Sequence, residues 1–320
     1  MVGHPGSPTA FALPAGEVVV DVRTHFVASF VQDLGARSTT FTVRDLASQS
    51  EVWGITLDTL TGQAVLRDDG GTELWVPSAS SAALSPGHDG GIWRVRKDAP
   101  EPGTVLAPQP LPAGADRERA GYTLLLSSPS GAVVAAVLAV GPEQSVVDVI
   151  RPDGEAHRFD LPDGLNAILL ADDALLLRSA ERLAALALES GTLAWEIPSA
   201  QWFPGAYLRE DARELVAVVV DPAAPAAMRL LRIHVGTGRM TVVREWPPRT
   251  AWPAFWPELS TDGEALFVED PRPGRYPYEL DLGAYLAEIS GPVTGQAVDL
   301  ETGRVREVRI AIPVEDWRSP

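Results

Sequence analysis

The residues of this chain that could do chemistry are mostly aromatic. Four of the nine tryptophans fall in two short segments that also contain phenylalanines, and a third segment contains an arginine and two tyrosines. The predicted binding residues are Trp202, Phe203, Trp252, Phe255, Trp256, Arg275, Tyr276 and Tyr278. Because tryptophan, tyrosine and arginine are enriched at binding hot spots, these segments favour recognition of a partner.

The residue types that catalysis uses most often are scarce or scattered. The chain has no cysteine and its single lysine is Lys97, which excludes thiolate chemistry, zinc–thiolate sites and a P-loop lysine. No two of the five histidines are two or four residues apart, so none forms a local pair of metal ligands. His88 lies in a predicted solvated loop and His234 in a predicted turn. We therefore predict no catalytic residue, no metal site and no cofactor.

Charge and composition narrow the class of partner. The formal net charge is −17 at pH 7. Nucleic acids and anionic membranes are bound by clustered cations, so both are disfavoured as partners. The N-terminus has no basic start followed by an apolar stretch, and the longest apolar run, residues 132–140, is too short to cross a bilayer. We expect a cytoplasmic protein.

Short apolar runs separated by polar turns repeat along the chain, and the turns are of two kinds. The first kind precedes a buried apolar run and occurs at residues 23–25, 60–62, 128–131, 171–174, 209–212 and 260–263. The second kind lies at Gln49, Gly103, Gly154, Gly191, Gly238 and Gly303. After the last five of these, the strand stops near a proline, which cannot donate to a sheet ladder.

Two turns and four strands per unit define the predicted architecture. Six such units cover residues 17–313, and a period of about 50 residues built from short strands is typical of a propeller or a related β-array. We predict an all-β fold, a β-propeller of six four-stranded blades, with seven blades as the alternative. Longer spacings predict insertions near residues 76–90 and 271–283, and no segment has the period and caps of a helix.

The repeat units resemble those of known propellers. Residues 185–195, ALALESGTLAW, are similar to the Ala-x-Asp-x-x-Thr-Gly-x-x-x-Trp repeat of quinoprotein-type propellers, which bind pyrroloquinoline quinone. Residues 45–53 are similar too, with Gln49 in place of glycine, while Ala187 and His234 replace the aspartate of the motif. Residues 260–268 resemble a hairpin of TolB-like and WD-like propellers. The resemblance implies the construction of the blades; quinone binding is not carried over.

The two chain ends are predicted to flank one domain. Residues 17–313 form a single propeller domain, residues 314–320 a C-terminal tail, and residues 1–16 an N-terminal segment. Within that segment, residues 11–14 are predicted to form a strand in the same blade as residues 304–312. A ring that is closed by strands from both termini has no free edge between its first and last blades.

The blade register brings the aromatic residues to one face. Two connections from an outer strand to the next inner strand contain aromatic residues: Trp202 and Phe203 in one, and Trp252, Phe255 and Trp256 in the other. A connection between a second and a third strand contains Arg275, Tyr276 and Tyr278. Both kinds of connection emerge on the same side. The predicted function is a non-enzymatic scaffold that binds a protein or peptide partner on this aromatic-rich loop face.

Three alternatives remain open at this point. The tryptophans would instead fill gaps between blades, as buried aromatic residues commonly do. Acidic pairs such as Asp172 and Asp173 would contribute to an axial metal site resembling that of lactonase-type propellers, and the chain would be a hydrolase or lyase. Exposed tryptophans would stack on sugars, and the chain would be a carbohydrate-binding module.

Overall fold

A computed structural model describes most of the chain. The described residues are 14, 16–23, 25–58, 60–67, 70–77, 90–116, 120–141, 144–151, 153–179, 181–198, 202–209, 213–220, 228–246, 254–255, 263–268 and 293–310. They form β-strands and connections and include no helical residue. No membrane-spanning helix is therefore found in this part of the chain. The prediction of an all-β fold is confirmed.

The strands pair into four-stranded antiparallel sheets, in each of which chain order is also spatial order. Sheet one contains β1 Val18–Val22, β2 Phe26–Asp33, β3 Ser38–Asp45 and β4 Glu51–Leu57, and sheet two contains β5 Val65–Leu66, β6 Glu73–Pro77, β7 Ile92–Arg96 and β8 Ala99–Leu106. Sheet three contains β9 Gly121–Ser127, β10 Val134–Ala139, β11 Ser145–Ile150 and β12 Ala156–Asp160.

The second half of the chain repeats the pattern. Sheet four contains β13 Asn166–Leu170, β14 Ala174–Arg178, β15 Arg182–Ala187 and β16 Thr192–Pro198. Sheet five contains β17 Trp202–Leu208, β18 Glu214–Val220, β19 Met228–His234 and β20 Met240–Trp246. Sheet six contains β21 Ala254–Phe255, β22 Glu264–Val268, β23 Val293–Asp299 and β24 Val305–Ile310. The described residues thus form six sheets, and six blades remains a prediction for the whole chain.

The chain divides into two compact units. The first holds sheets one to three together with β13 and β14, and the second holds sheets five and six. In the first unit, β1 contacts β5, β5 contacts β9 and β9 contacts β13; in the second, β17 contacts β21. Within each unit, the first strands of successive sheets are therefore neighbours. A single domain over residues 17–313 remains a prediction.

The hydrophobic cores lie between consecutive sheets. One core joins sheets one and two around Phe41 and Leu74, a second joins sheets two and three around Ile92, and a third joins sheets three and four. In the second unit a core joins sheets five and six. Strand β10 serves two cores, because Ala135 and Ala136 point to opposite faces and both are fully buried. This double burial explains the long apolar run at residues 132–140.

Most of the predicted turns are confirmed. The connection between the third and fourth strands contains a left-handed residue at Gln49, Gly154, Gly191, Gly238 and Gly303, with φ between 57° and 84°.

Two turn placements in sheet two are wrong. Gly103 lies inside β8, and the turn before that strand is at Lys97 and Asp98. Residues 60–62 precede β5, which is a first strand; the turn before the second strand contains Gly71 instead. The apolar run after residues 60–62 resembles a second strand but ends in the short first strand β5, and the β7–β8 turn at Lys97 and Asp98 contains no glycine to mark it.

The repeat motif describes contacts between neighbouring sheets. Trp195 on β16 donates from its indole nitrogen to the carbonyl of Val235, and its ring lies against Gly238 in the turn of sheet five. Phe159 on β12 packs in the same way on Gly191 of sheet four. A glycine is required because the backbone is left-handed and a ring occupies the space of a β-carbon. The motif therefore maintains sheet-to-sheet packing.

The long connections lie where insertions are predicted. Residues 78–91 join β6 to β7 and residues 269–292 join β22 to β23, so each connects a second strand to a third. The predicted N-terminal strand at residues 11–14 falls outside the described residues except for Pro14, which is not in a strand. The carbonyl of Pro14 accepts a hydrogen bond from the amide of Glu17, which closes a turn ahead of β1.

Candidate functional site

The topology gives every sheet two different ends. We call the end with the second-to-third connection and the connections to neighbouring sheets the loop end. The opposite end, with the first-to-second and third-to-fourth connections, is the turn end. By their position in the chain, most of the predicted binding residues belong to loop ends of sheets five and six: Trp202, Phe203, Trp252, Arg275, Tyr276 and Tyr278. Phe255 lies in β21, and Trp256 follows β21 in the segment that joins a first strand to a second, which is a turn-end connection.

The structure places three of these residues in strands. Trp202 and Phe203 lie at the start of β17 and Phe255 in β21, so their predicted placement in loops is wrong. Trp202 pairs with Val219 of β18, and the strand register shifts between Trp202 and Ala206, the interval that contains Pro204. Phe255 pairs with Phe267. The remaining predicted residues, Trp252, Trp256, Arg275, Tyr276 and Tyr278, lie outside the described residues.

The loop end of sheet one exposes apolar side chains that the sequence analysis missed. Leu34, in the hairpin between β2 and β3, is 73% exposed, and Val18 at the start of β1 is 53% exposed. Val31, near the end of β2, is 40% exposed. The available signal was a leucine inside a polar turn, since turn positions rarely hold large apolar residues without reason. Val18 pairs with Phe30, so Val18 and the next residue after Phe30, Val31, lie on opposite faces of sheet one. The three exposed side chains therefore share an end of the sheet and not a face.

The β2–β3 hairpin has a defined conformation. A carboxylate oxygen of Asp33 accepts a hydrogen bond from the amide of Ala36 at 2.9 Å. Arg37 has a φ of 55°, in the left-handed region that favours glycine. Residues 34–37 are all exposed. The hairpin tip therefore presents Leu34 and Arg37 on a hydrogen-bonded turn.

The turn ends of sheets one to three carry a charged cluster. Arg23, Arg67 and Ser128 each directly follow the first strand of their sheet. The Arg23 guanidinium donates to the carbonyl of Ser128 at 2.9 Å and to that of Leu66 at 3.0 Å. Asp21 lies 3.6 Å from Arg23 and accepts from the amide of Leu66 at 2.8 Å. The cluster thus ties the inner ends of three sheets together.

Burial governs the ionisation of this cluster. Burial raises the pKa of Asp21 above its ordinary value, although the Arg23 charge and backbone amides oppose it. Burial, reinforced by the nearby Arg23 charge, lowers the pKa of Arg67. The Arg67 guanidinium stacks over the Trp75 ring at 4.3 Å from its centroid and donates to the carbonyl of Gly131. Apart from the Asp21–Arg23 ion pair, the contacts named here go to backbone atoms and to the Trp75 ring, so the cluster holds the three sheets together.

Two further groups of buried charged side chains bond to one another within a single sheet or its adjoining segment. Arg44 donates through both terminal nitrogens to Glu17, and Ser29 donates to the same carboxylate at 2.6 Å. In sheet three, Arg158 donates to Asp148 at 2.7 and 2.8 Å, and the Tyr122 hydroxyl donates to Asp148 as well. Among the residues that the structure describes, no group of three or more His, Asp or Glu could hold a metal ion.

No protein-family model matches the chain, and no curated protein sequence matches it. Solved structures do. A prolyl endopeptidase is similar with a TM-score of 0.54 and 11% identity over 97% of this chain, which spans 45% of that protein's length. The β-propeller domain of Swd1 from Myceliophteria thermophila is similar with a TM-score of 0.51 and 12% identity, covering 94% of this chain and 88% of that one.

These likenesses establish the fold and nothing finer. A gluconolactonase from Pseudomonas aeruginosa matches with a TM-score of 0.48 and 15% identity, and the match covers 94% of this chain and 87% of the gluconolactonase chain. At such identities a shared fold does not transfer activity. Together with the four-stranded sheets, the likenesses to the prolyl endopeptidase and to Swd1 show that the chain has the fold of the β-propeller repeat proteins.

Proposed function

We propose that this β-propeller chain is a non-enzymatic scaffold that binds a protein or peptide partner at the loop ends of its sheets. The observation that carries the proposal is the exposure of Leu34, Val18 and Val31 at the loop end of sheet one. Leu34 is the most exposed of these side chains, and its position in the hairpin between β2 and β3 makes it accessible to a partner at this end of the sheet. By chain position, Trp202, Phe203, Trp252, Tyr276 and Tyr278 belong to the same kind of end in sheets five and six.

Burial of these side chains would supply binding energy. Removing one leucine or valine side chain from water contributes about 1.5–3 kcal/mol. Trp252, Trp256, Arg275, Tyr276 and Tyr278 would add the large contact area that such residues offer. The net charge of −17 supports a partner other than nucleic acid or an anionic membrane, and we propose that the partner is met in the cytoplasm.

The test is affinity capture with the full chain as bait. We expect the wild-type chain to retain a protein that Leu34→Ser and the double variant Trp252→Ala/Trp256→Ala retain poorly, by quantitative mass spectrometry. Leu193→Ser, an exposed change on an outer strand, is the control and should capture as well as wild type. Binding should then be reproduced with the purified partner.

Three results would contradict the proposal. Stoichiometric calcium or a transition metal in the purified protein, with hydrolysis of a lactone that a chelator abolishes, would favour the enzymatic alternative. Selective binding on a glycan array that Trp252→Ala removes would favour a carbohydrate-binding module. Equal capture by all the variants would also count against the loop ends as the binding surface.

A further inference from the structure

We infer that the tip of the β2–β3 hairpin is an anchor: Leu34 enters a concave apolar site on a protein partner, and Arg37 pairs with a carboxylate beside that site. The inference rests on the proposed function and deepens it by naming the kind of partner. Two independent features of the tip carry it, the exposure of Leu34 and the backbone conformation of Arg37.

Leu34 is presented to solvent on a closed turn. Its side chain is the most exposed of the large apolar side chains that the structure describes, at 73%. The hydrogen bond from the amide of Ala36 to Asp33 holds the turn, so less conformational freedom is lost when a partner binds. A leucine at this position contributes nothing to the hydrophobic cores, because those cores lie between the sheets.

Arg37 occupies a backbone conformation that glycine would adopt without strain. Its φ of 55° places the β-carbon against the backbone, and only glycine avoids that contact. Strain of this kind tends to be kept at functional positions. The exposed guanidinium offers a planar set of donors that matches a carboxylate. The exposed tip therefore carries a cation close to Leu34 in the chain, at a position where glycine would be the unstrained residue.

The shape of the tip identifies the class of partner. Small-molecule sites are concave, whereas the exposed tip of a hairpin is convex, so the pocket must belong to the other molecule. A nucleic acid would need clustered cations, and residues 32–38 contain one arginine and one aspartate as their only charged side chains. A folded protein with an apolar pocket and an adjacent Asp or Glu meets all these conditions.

The first experiment locates the contact in the full-length chain. Benzoylphenylalanine, a photo-cross-linking amino acid, replaces Leu34 in one version and Gln49 in another, and both are irradiated in lysate of the source organism. Gln49 is the matched control because it lies in the β3–β4 turn at the opposite end of the same sheet. We expect position 34 alone to cross-link one protein, at a pocket next to an acidic residue. Equal cross-linking from both positions overturns the inference.

The second experiment separates binding from folding, with the purified cross-linked protein as the probe. Leu34→Ser and Arg37→Gly should each weaken binding by about tenfold or more, as hot-spot changes do. Gln49→Gly relieves the same kind of left-handed strain, so Arg37→Gly and Gln49→Gly should both raise the melting temperature. Only Arg37→Gly should weaken binding. Wild-type binding by Arg37→Gly overturns the inference.

A third cross-linking position distinguishes this inference from the proposed function. Benzoylphenylalanine at position 252 reports on the predicted aromatic residues. A protein that is captured from position 252 and not from position 34 overturns the hairpin anchor and leaves the scaffold proposal standing. No specific cross-link from either position overturns both.

Discussion

At the scale of single residues, the repeat is maintained by glycines on which a ring of the preceding sheet packs. Gly238 has a φ of 67° and lies against Trp195, and Gly191 lies in the same way against Phe159. A side chain at these positions meets both a strained backbone and an occupied space. Gly154 has a similar left-handed conformation, with φ of 84°, but open space around it. The two kinds of glycine allow strain and steric clash to be separated.

We predict that Gly238→Ala is much more destabilising than Gly154→Ala. The left-handed conformation costs each alanine about 1–2 kcal/mol. At position 238 the new β-carbon would also lie 2.6 Å from Cγ of Trp195, and such overpacking costs about 1–3 kcal/mol more. Urea unfolding measures both values. Equal losses of unfolding free energy would show that the Trp195 ring moves away without cost.

Another residue-scale prediction concerns the buried pair Glu17 and Arg44. Glu17→Gln should lower the free energy of unfolding by about 3 kcal/mol, because it leaves a buried guanidinium without its counter-ion. Glu245→Gln is the control: its pair with Arg229 is largely exposed, so the expected loss is below about 0.5 kcal/mol. A loss at Glu17 no larger than that at Glu245 would mean that water replaces the missing partner.

The same pair predicts a pH dependence. Burial by itself would raise the pKa of Glu17. The hydrogen bonds from Arg44 and Ser29 outweigh that effect, so the folded protein holds this pKa below its ordinary value. A carboxylate with a depressed pKa contributes stability above its unfolded pKa, about 4.3, and loses that contribution as the pH falls through the folded value. Wild type should therefore lose more unfolding free energy than Glu17→Gln does on acidification from pH 5. Parallel pH profiles would contradict this assignment.

At the scale of elements, short contacts between the ends of strands hold neighbouring sheets in register. Arg23 bonds backbone carbonyls of sheets two and three from its place at the end of β1. In the second unit, Arg209 and Arg232 of sheet five both pair with Glu301, in the turn between β23 and β24 of sheet six. The sheets are thus joined by charged side chains at the turn ends and by apolar side chains along their faces.

We predict that Arg23→Met lowers the free energy of unfolding by about 2–3 kcal/mol, the range expected when charge-assisted hydrogen bonds to buried carbonyls are lost. Hydrogen exchange should also increase at residues 128–133, which contain one of its acceptors. Arg94→Met is the control, since Arg94 is exposed on β7 of the same unit and should change stability by less than about 0.5 kcal/mol. Unchanged exchange at residues 128–133 would show that Arg23 is dispensable for holding sheet three.

At the scale of the whole molecule, the prediction that both termini share a blade is still untested. Deleting residues 1–13 keeps the Pro14–Glu17 turn and the Glu17 ion pair but removes the predicted strand. The melting temperature should fall by several degrees, because a free edge would then separate the first and last blades. Deleting residues 314–320, the predicted tail, is the control and should have no effect. An unchanged melting temperature after the N-terminal deletion would contradict closure by this strand.

Much of the fold was predictable from local pattern. Turns at Gly154, Gly191, Gly238 and Gly303 follow from glycine's tolerance of left-handed backbone, and apolar runs between them mark strands. Errors arose where that signal is weak: β5 has two residues, and Gly103 lies in a strand where no left-handed turn forms. Trp202 was misplaced because the extent of a strand depends on its partner, here the long strand β18.

The candidate site divides in the same way between sequence and tertiary structure. By itself the sequence determined the all-β class, the propeller repeat and the lack of thiol chemistry. Only the tertiary structure decided that Leu34 is exposed, that Arg37 is left-handed and that Arg23 spans three sheets. Local periodicity is set by neighbours in the chain, whereas exposure and contacts between Arg23 and Ser128 depend on residues far away in sequence.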